Sequence, residues 1–513
     1  MQVDTQRRGE GPPPDTAADA VSPGRGSFWE AAWAAFRRRA SNLIACGWIG
    51  LIATMAVVVP FVASGQPYTI KVKSDTGWER HWPLFATLTR LDVVLVIVAA
   101  ALVAYWAGLR WKLRDVAPRD ERMEAGMAWL LAVVAAAIGM IWGVVSAAIA
   151  PHAMATLARI GASGVAAWVN AAGPAAESRG RWVLVALTCT LVAALFAAWA
   201  AWASRQRTGM HFFMARRILI AALLMIAGIA VGATLDPGVR LSPYDYRAYE
   251  AMLKNGTARG AVFAPIHWGY AEQEPLIANR TFEFPTREHW LGTDGIGRDA
   301  LSRLLWSMRV VMGISFVAEA IALVIGVAVG AVMGYFRGRL DLLGMRLVEI
   351  FESIPTFILI LIFVASYGRD LFMIMVILGL TGWTGIARFV RAEFLSLRDR
   401  DFVQAARALG LPVRRVLFRH MLPNGLTPVL VTLTFGVAGA TMSESGLSFL
   451  GVGVEPPTPS WGSMLNEAGN PAETFRWWLA IAPGLMIFLT VFAYNIIGEG
   501  LRDAIDPRTN KVE

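Results

Sequence analysis

About ten stretches of this chain, each close to the roughly 20 apolar residues that a helix needs to cross a hydrocarbon core, leave it few ways to fold. They lie approximately at 42–64, 92–109, 126–150, 182–202, 218–235, 310–335, 343–366, 371–388, 425–441 and 478–498. In lipid the backbone N–H and C=O groups must be satisfied within the segment, so such runs are read as helices. The expected class is therefore an all-α integral membrane protein with about ten transmembrane helices. Composition agrees: 56% of the 513 residues are apolar and only 17% are charged, which excludes an ordinary soluble domain. The formal charge of +9 rests on arginine, since the only lysines are Lys71, Lys73, Lys112, Lys254 and Lys511. In such a chain that excess labels cytoplasmic loops, and no nucleic-acid partner is expected.

The arginines also order the topology. "FRRRAS" stands immediately before the first run, which places the N-terminus in the cytoplasm. Counting alternately, the loops at 110–122, 204–217, 336–342 and 391–423 share that side, and each is dense in arginine; the opposite loop at 443–477 is nearly free of it. The long loop at 236–307 carries several arginines, but a segment of that length is translocated largely regardless of charge. Both termini are thus expected to be cytoplasmic in a multi-pass protein. Residues 1–30 read as a disordered cytoplasmic tail, rich in Pro, Gly, Asp and Arg and without the apolar region of a signal peptide. Cys46 and Cys189 fall inside apolar runs and read as packing residues.

Enzymatic signatures are missing. The chain has no Gly-Lys-Ser/Thr phosphate loop, no His-Glu-x-x-His and no nucleophile elbow, so it is expected not to be an enzyme and not to hydrolyse nucleotide by itself. "GTDGIGRD", Gly292 to Asp299, invites a calcium-loop reading, yet the ligand spacing and closing Glu are missing; a turn-rich, solvated connector is expected, and no metal site. "SFLGVGVEPPTPSWG", Ser448 to Gly462, cannot continue a helix and should fold back as an irregular loop at the outer face. Ionisable residues inside apolar runs are costly and need a partner or a function. Glu319 lies well within the sixth run, and Glu349 and Glu352 lie near the inner end of the seventh. Glu319, Glu352 and Pro355 are candidates for the wall of a passage; the alternative for the carboxylates is pairing with arginine on a neighbouring helix.

"QAARALGLPVRRVLFRHMLP", Gln404 to Pro423, is the most ordered polar stretch. Phe402, Ala405, Ala406 and Leu409 recur at helical spacing, and Gly410 follows at a left-handed cap position. Pro412 suits the first turn of a second helix, on which Val413, Val416, Leu417 and Met421 share a face while Arg414, Arg415 and Arg419 point elsewhere. The two short helices form a rigid bent element at the membrane surface. It could be held by anionic lipid or could dock a soluble partner, and periodicity does not choose between them.

This stretch resembles the cytoplasmic EAA loop of permease subunits of bacterial ATP-binding-cassette importers, with Gln404 where the family usually has Glu. "HWLGTDGIGRDALSRLLW", "YFRGRLDLLGMRLVEIFESIPTFILIL", "SFLGVGVEPPTPSWGSML" and "GEGLRDAIDPR" are similar to the C-type permeases of dipeptide, oligopeptide and nickel importers, over nearly all of residues 289–508. "FVASGQPYTIKV" and "NGTARGAVFAPIHW" point more weakly to the microcin C and oligopeptide branch. The resemblance implies a type I importer permease core (MetI-like) in the bacterial inner membrane. It implies coupling to an ATPase through Gln404, Ala405, Ala406, Leu409, Gly410, Leu411 and Pro412. The implied partners are a second homologous permease, two ATPase subunits that bind ATP and Mg, a periplasmic binding protein and membrane lipid, with no cofactor in this chain. Peptide is the implied cargo; nickel, an opine or an antibiotic peptide remain alternatives, as does a non-transporting scaffold or sensor on the same core.

The chain departs from that pattern in one respect. A permease of this type has one span, an external loop and five more spans. Here the first span is expected at 31–64, an inserted bundle of four spans at 92–235, a periplasmic loop region at 236–306, and the core at 307–508 with its coupling loop at 391–423. An even number of spans inserted in an external loop leaves the orientation of the core unchanged. The resemblance does not say what the insertion does.

Overall fold

The structure is a computed structural model that describes residues 28–75, 77–88, 92, 96, 245–273, 280–369, 371–469 and 475–505. Of the tail expected at 1–30, residues 28–30 are helical instead, because they open an amphipathic helix that packs on the last helix; residues 1–27 and, apart from Asp92 and Val96, the four expected inserted spans lie outside the described residues.

The first helical segment is two helices, α1 (Phe28–Arg38) and α2 (Ala40–Val62), divided at Arg39, whose backbone is extended. α1 lays Ala32 and Phe36 against Ala504 of the last helix, and Arg39 pairs with Asp503 at 2.5 Å. Beyond α2 come strands β1 (Thr69–Ser74) and β2 (Gly77–His81) and the short helix α3 (Pro83–Thr87). Helix α4 (Tyr246–Lys254) and strand β3 (Ala258–Val262) follow in the described chain. The three strands form an antiparallel sheet in the order β2-β1-β3. β1 and β2 precede the expected insertion and β3 follows it, so the two halves of the loop close on each other through a hydrogen-bonded ladder. α4 covers one face of the sheet, burying Ile70, Tyr249 and Ala258.

The remaining elements are α5 (Ala300–Phe336), α6 (Gly338–Ser353), α7 (Thr356–Tyr367), α8 (Leu371–Arg398), α9 (Asp401–Ala408), α10 (Val413–Arg415) with a π-helical turn Val416–Met421, α11 (Leu422–Phe449), α12 (Trp461–Ala468) and α13 (Trp477–Ile505). Among the described residues four helices are long and apolar enough to cross a membrane: Ala40–Val62, Ala300–Phe336, Met373–Arg398 and Trp477–Ile505. The count rises to six if each of two bent pairs is one span. One pair, Gly338–Ser353 with Thr356–Ser366, bends by 77°, and the other, Val413–Gly425 with Pro428–Phe449, by 63°. Pro355 accounts for the first bend: it has no N–H to donate, and it holds Ile354 in the β region, so the apolar run at 343–366 is not one straight helix.

α5 and α8 are joined along a glycine seam. Gly326, Gly330 and Gly334 follow one another at four-residue spacing on one line of α5. A Cβ at Gly326 would meet Ile386 Cβ at 2.7 Å, one at Gly330 would meet the Ala387 carbonyl at 2.5 Å, and one at Gly334 would meet Phe394 Cβ at 2.6 Å. Small residues let backbones approach where lipid offers no hydrophobic drive for association.

The "GTDGIGRD" connector is buried rather than solvated. Asp294 accepts from Arg298 Nε at 2.6 Å and also pairs with Arg303, while Glu467 of α12 takes both arginines. Asp299 caps α5 by accepting from Ser302 N at 2.7 Å, and its other oxygen meets His289 Nδ1 at 2.9 Å. The expectation of a solvated loop fails because the partner carboxylate of Glu467 lies far away in sequence. Among the described residues no group of three His, Cys, Asp or Glu is placed to hold a metal ion. The "SFLGVGVEPPTPSWG" stretch does fold back: Ser460 and Ser463 form a capping box for α12, and Trp461 is buried and donates from Nε1 to the Leu304 carbonyl at 3.1 Å.

Candidate functional site

The bundle has two ends. The sheet, α12 and the start of α5 share one, tied by the bond from Trp306 Nε1 to the Ala63 carbonyl at 2.9 Å. At the opposite end Arg398 donates to the Tyr335 carbonyl at 2.8 Å and Arg337 pairs with Asp399 at 2.7 Å, joining the ends of α5 and α8. The element Gln404 to Pro423 sits at this second end.

Its shape follows from local rules. α9 stops in a Schellman motif: Gly410 N donates to the Arg407 carbonyl at 3.0 Å and Leu411 N to the Ala406 carbonyl at 3.2 Å. Gly410 has φ of 69°, a left-handed conformation in which a Cβ is strained. Pro412 is the cap residue of α10, one place before the first helical turn where the sequence suggests it. From there the chain runs through the π turn into the first turn of α11, which bends by 63° between Gly425 and Pro428 before continuing as a span.

Burial divides the element in a way that periodicity does not. Val403, Ala406, Val416 and Met421 are buried in one core cluster with Val348, Phe394 and Leu397 of α6 and α8, and Leu411 packs against the same cluster. Phe402, Leu409, Val413 and Phe418 are instead exposed, Leu409 to 80% and Phe418 to 68%. The stripe expected from Phe402, Ala405, Ala406 and Leu409 is therefore split: Ala406 faces the core and the other three face outward. Gln404 is exposed and its Nε2 reaches the Arg398 carbonyl at 3.3 Å; Gly410 and Pro412 are exposed as well. Arg407, Arg414 and Arg419 are exposed on the same element. The result is a firmly seated knob with an uncovered apolar tip and a basic rim.

The passage candidates are not brought together. Glu352 pairs with Arg388 of α8 at 2.8 Å, near the bend at Pro355, and Glu349 pairs with Arg346 on its own helix. Glu319 is buried between α5 and α11, where its carboxyl fills the space beside Gly436, and its Oε1 has no hydrogen-bond partner among the described residues. Gly379 of α8 packs beside Ala318, nine residues before Arg388. At 1.5 Å per residue those two positions on α8 are roughly 13 Å apart along the helix axis. Glu444 is a further buried carboxylate, in the last part of α11, where it accepts from Ser448 Oγ at 2.8 Å. Sequence reading missed it by ending that helix too early, at 441.

Residues 326–511 match the family described as binding-protein-dependent transport system inner membrane component. The chain is 36% identical over 253 residues to an oligopeptide transport system permease protein of Bacillus subtilis, covering 49% of this chain and 82% of that one. It is 39% identical over 296 residues to the oligopeptide permease protein of Haemophilus influenzae, covering 58% of this chain and 86% of that one. A dipeptide transport system permease protein of Bacillus subtilis is 36% identical over 227 residues, covering 44% and 71%. Among solved structures, an inward-facing methionine ABC transporter aligns with a TM-score of 0.33 at 21% identity, over 39% of this chain and 96% of that one.

Proposed function

Because this chain belongs to the family of binding-protein-dependent transport inner membrane components, we propose that it is the membrane-spanning permease subunit of an ATP-driven importer that moves peptides across the bacterial inner membrane. One observation carries the mechanism: an apolar tip, Phe402, Leu409, Val413 and Phe418, stands uncovered on an element whose other side is locked into the core. Exposed apolar side chains held on a rigid base suit a groove on a soluble partner, and the arginine rim suits acidic groups around such a groove. In this reading the tip seats in an ATPase subunit, which binds ATP and Mg. Movement of the ATPases is transmitted through Gly410, Pro412 and the π turn directly into α11, and through Arg398 and Asp399 into α5 and α8.

The importer would contain a second homologous permease, two ATPase subunits and a periplasmic binding protein. Both termini and the knob would lie in the cytoplasm, with the sheet and α12 outside, as the arginine distribution suggests. Glu319, Glu352 and Pro355 remain candidates for the passage: Glu319 as the buried carboxyl beside Gly436, and Pro355 as the bend that turns α7 away from α6. The first external segment supports the oligopeptide and microcin C branch for the cargo. The test is peptide uptake and peptide-stimulated ATP hydrolysis in proteoliposomes that hold the full complex. Labelled peptides should accumulate only when this chain is present, and Gly410→Asp should abolish both activities while membrane insertion is retained. Uptake that proceeds without the chain, or stimulation unchanged in the variant, would overturn the proposal.

A further inference from the structure

The sheet has an open face opposite α4, and that face is basic. Lys71 of β1 stands opposite Arg80 of β2 and Arg259 of β3, and Lys73 stands opposite Trp78. Residues paired across a ladder share a face, so four cations and one tryptophan are gathered on about three strand widths. All five side chains are exposed, and Arg259 lies over the Trp78 ring at 4.7 Å. No carboxylate among the described residues forms an ion pair with any of the four cations. A chain with so few lysines spends two of them at alternate positions of one short strand.

The sheet is also held at a defined height on the span. The Tyr68 hydroxyl, just before β1, donates to the carbonyl of Phe61 in the last turn of α2. Phe85 of α3 packs on the Phe61 ring at 6.2 Å and on Trp82 at 6.1 Å, and both Trp82 and Phe85 are exposed. Aromatic residues exposed beside the end of a spanning helix mark the boundary between hydrocarbon and headgroups. Arg80 is two residues from Trp82, or about 7 Å along an extended strand, which matches a headgroup layer roughly 5–7 Å deep. Lys71 lies across from both Arg80 and Arg259 at the same height, and the long stem of Lys73 can bring its charge down to it.

We propose that the open face of this sheet binds the anionic phosphates of phospholipid headgroups in the leaflet that α2 reaches with its C-terminal end. Trp82 and Phe85 enter the boundary, and Lys71, Lys73, Arg80 and Arg259 neutralise the headgroups above it. The continuity of the basic face with an aromatic edge at membrane level favours lipid over an acidic soluble protein, which would have no need of that edge.

Amide exchange of residues 77–88, measured on the complete complex in nanodiscs of phosphatidylcholine alone or with one third phosphatidylglycerol, tests this. Each surface cation removed weakens anionic-lipid binding by roughly fivefold. Exchange should be at least about fivefold slower in the anionic discs. The slowing should vanish in the combined variant Lys71→Gln, Lys73→Gln, Arg80→Gln and Arg259→Gln. It should also vanish for the unaltered chain at 1 M salt, where the screening length falls to about 3 Å; this arm stands even if the variant misfolds. Equal exchange in the two lipids overturns the proposal. So does slowing by inorganic phosphate in phosphatidylcholine discs, which would make the face a phosphate site, or slowing that needs an added acidic protein, which would make it a protein-docking face.

Discussion

Replacing Gly330 with alanine probes the seam that sets how closely α5 and α8 approach. The new Cβ would lie 2.5 Å from the Ala387 carbonyl oxygen and 2.8 Å from Val390 Cβ. Ordinary carbon contacts settle near 3.5–4.0 Å, so the helices must part by about 1 Å at that point. Overpacking of this kind costs about 1–3 kcal/mol, while the gain in helix propensity from Gly to Ala returns about 0.5–1 kcal/mol. A net loss of about 1–2 kcal/mol is expected for Gly330→Ala. Gly385 on α8 supplies the control, since a Cβ there meets nothing within 4 Å. Gly385→Ala should be neutral or stabilising by up to about 1 kcal/mol. Denaturation midpoints of the purified protein in one mild detergent measure both. If Gly330→Ala is as stable as the parent, or if the two variants shift alike, close approach along this line is not what holds α5 to α8.

Replacing Arg298 and Arg303 together with Leu removes both cations from buried Asp294 and half-buried Glu467, and should cost about 3–5 kcal/mol in the same assay, against at most about 1 kcal/mol for Arg39→Ala at an exposed pair; similar losses for the two would refute the role given to burial. Burial against Gly65 and Gly269 pushes the Glu272 carboxyl up to about 7, opposed by the hydrogen bond from Gly269 N. Its folded pKa exceeds its unfolded one, so its contribution is full below about 4.5 and is lost as pH rises through about 7. Exchange protection of β1 and β3 should therefore fall by at most about 3 kcal/mol from pH 4.5 to pH 8, and Glu272→Gln should flatten that slope; a rise with pH, or an unflattened slope, contradicts it.

Much of this architecture was legible in the chain because it rests on rules that act over a few residues. Apolar runs must be helical in lipid, and the stop at Gly410 needs a residue that tolerates positive φ. The bend at Pro355 was hidden because hydropathy runs on across a residue that interrupts hydrogen bonding. The Gly326, Gly330 and Gly334 line carried its own signal, a small residue at every fourth position, which a count of apolar residues passes over. Burial of Asp294 could not be read locally, since its arginine partners are shared with Glu467 of another helix. The faces of α9 were misjudged for a different reason. An apolar residue kept for a partner and one kept for the core look alike in sequence, and only packing separates Leu409 from Ala406.

The central claim is that the apolar tip, not the arginine rim, transmits movement from the ATPase. Binding-protein-stimulated ATP hydrolysis by the reconstituted complex, compared between Leu409→Asp and the double variant Arg414→Gln with Arg419→Gln, tests it most directly. A buried apolar anchor at an interface centre is worth about 2 kcal/mol or more, so Leu409→Asp should cut stimulation at least about tenfold. Charges on the rim contribute little, so the arginine variant should stay within about twofold at physiological salt. Full stimulation in Leu409→Asp, or loss confined to the arginine variant, would contradict the account.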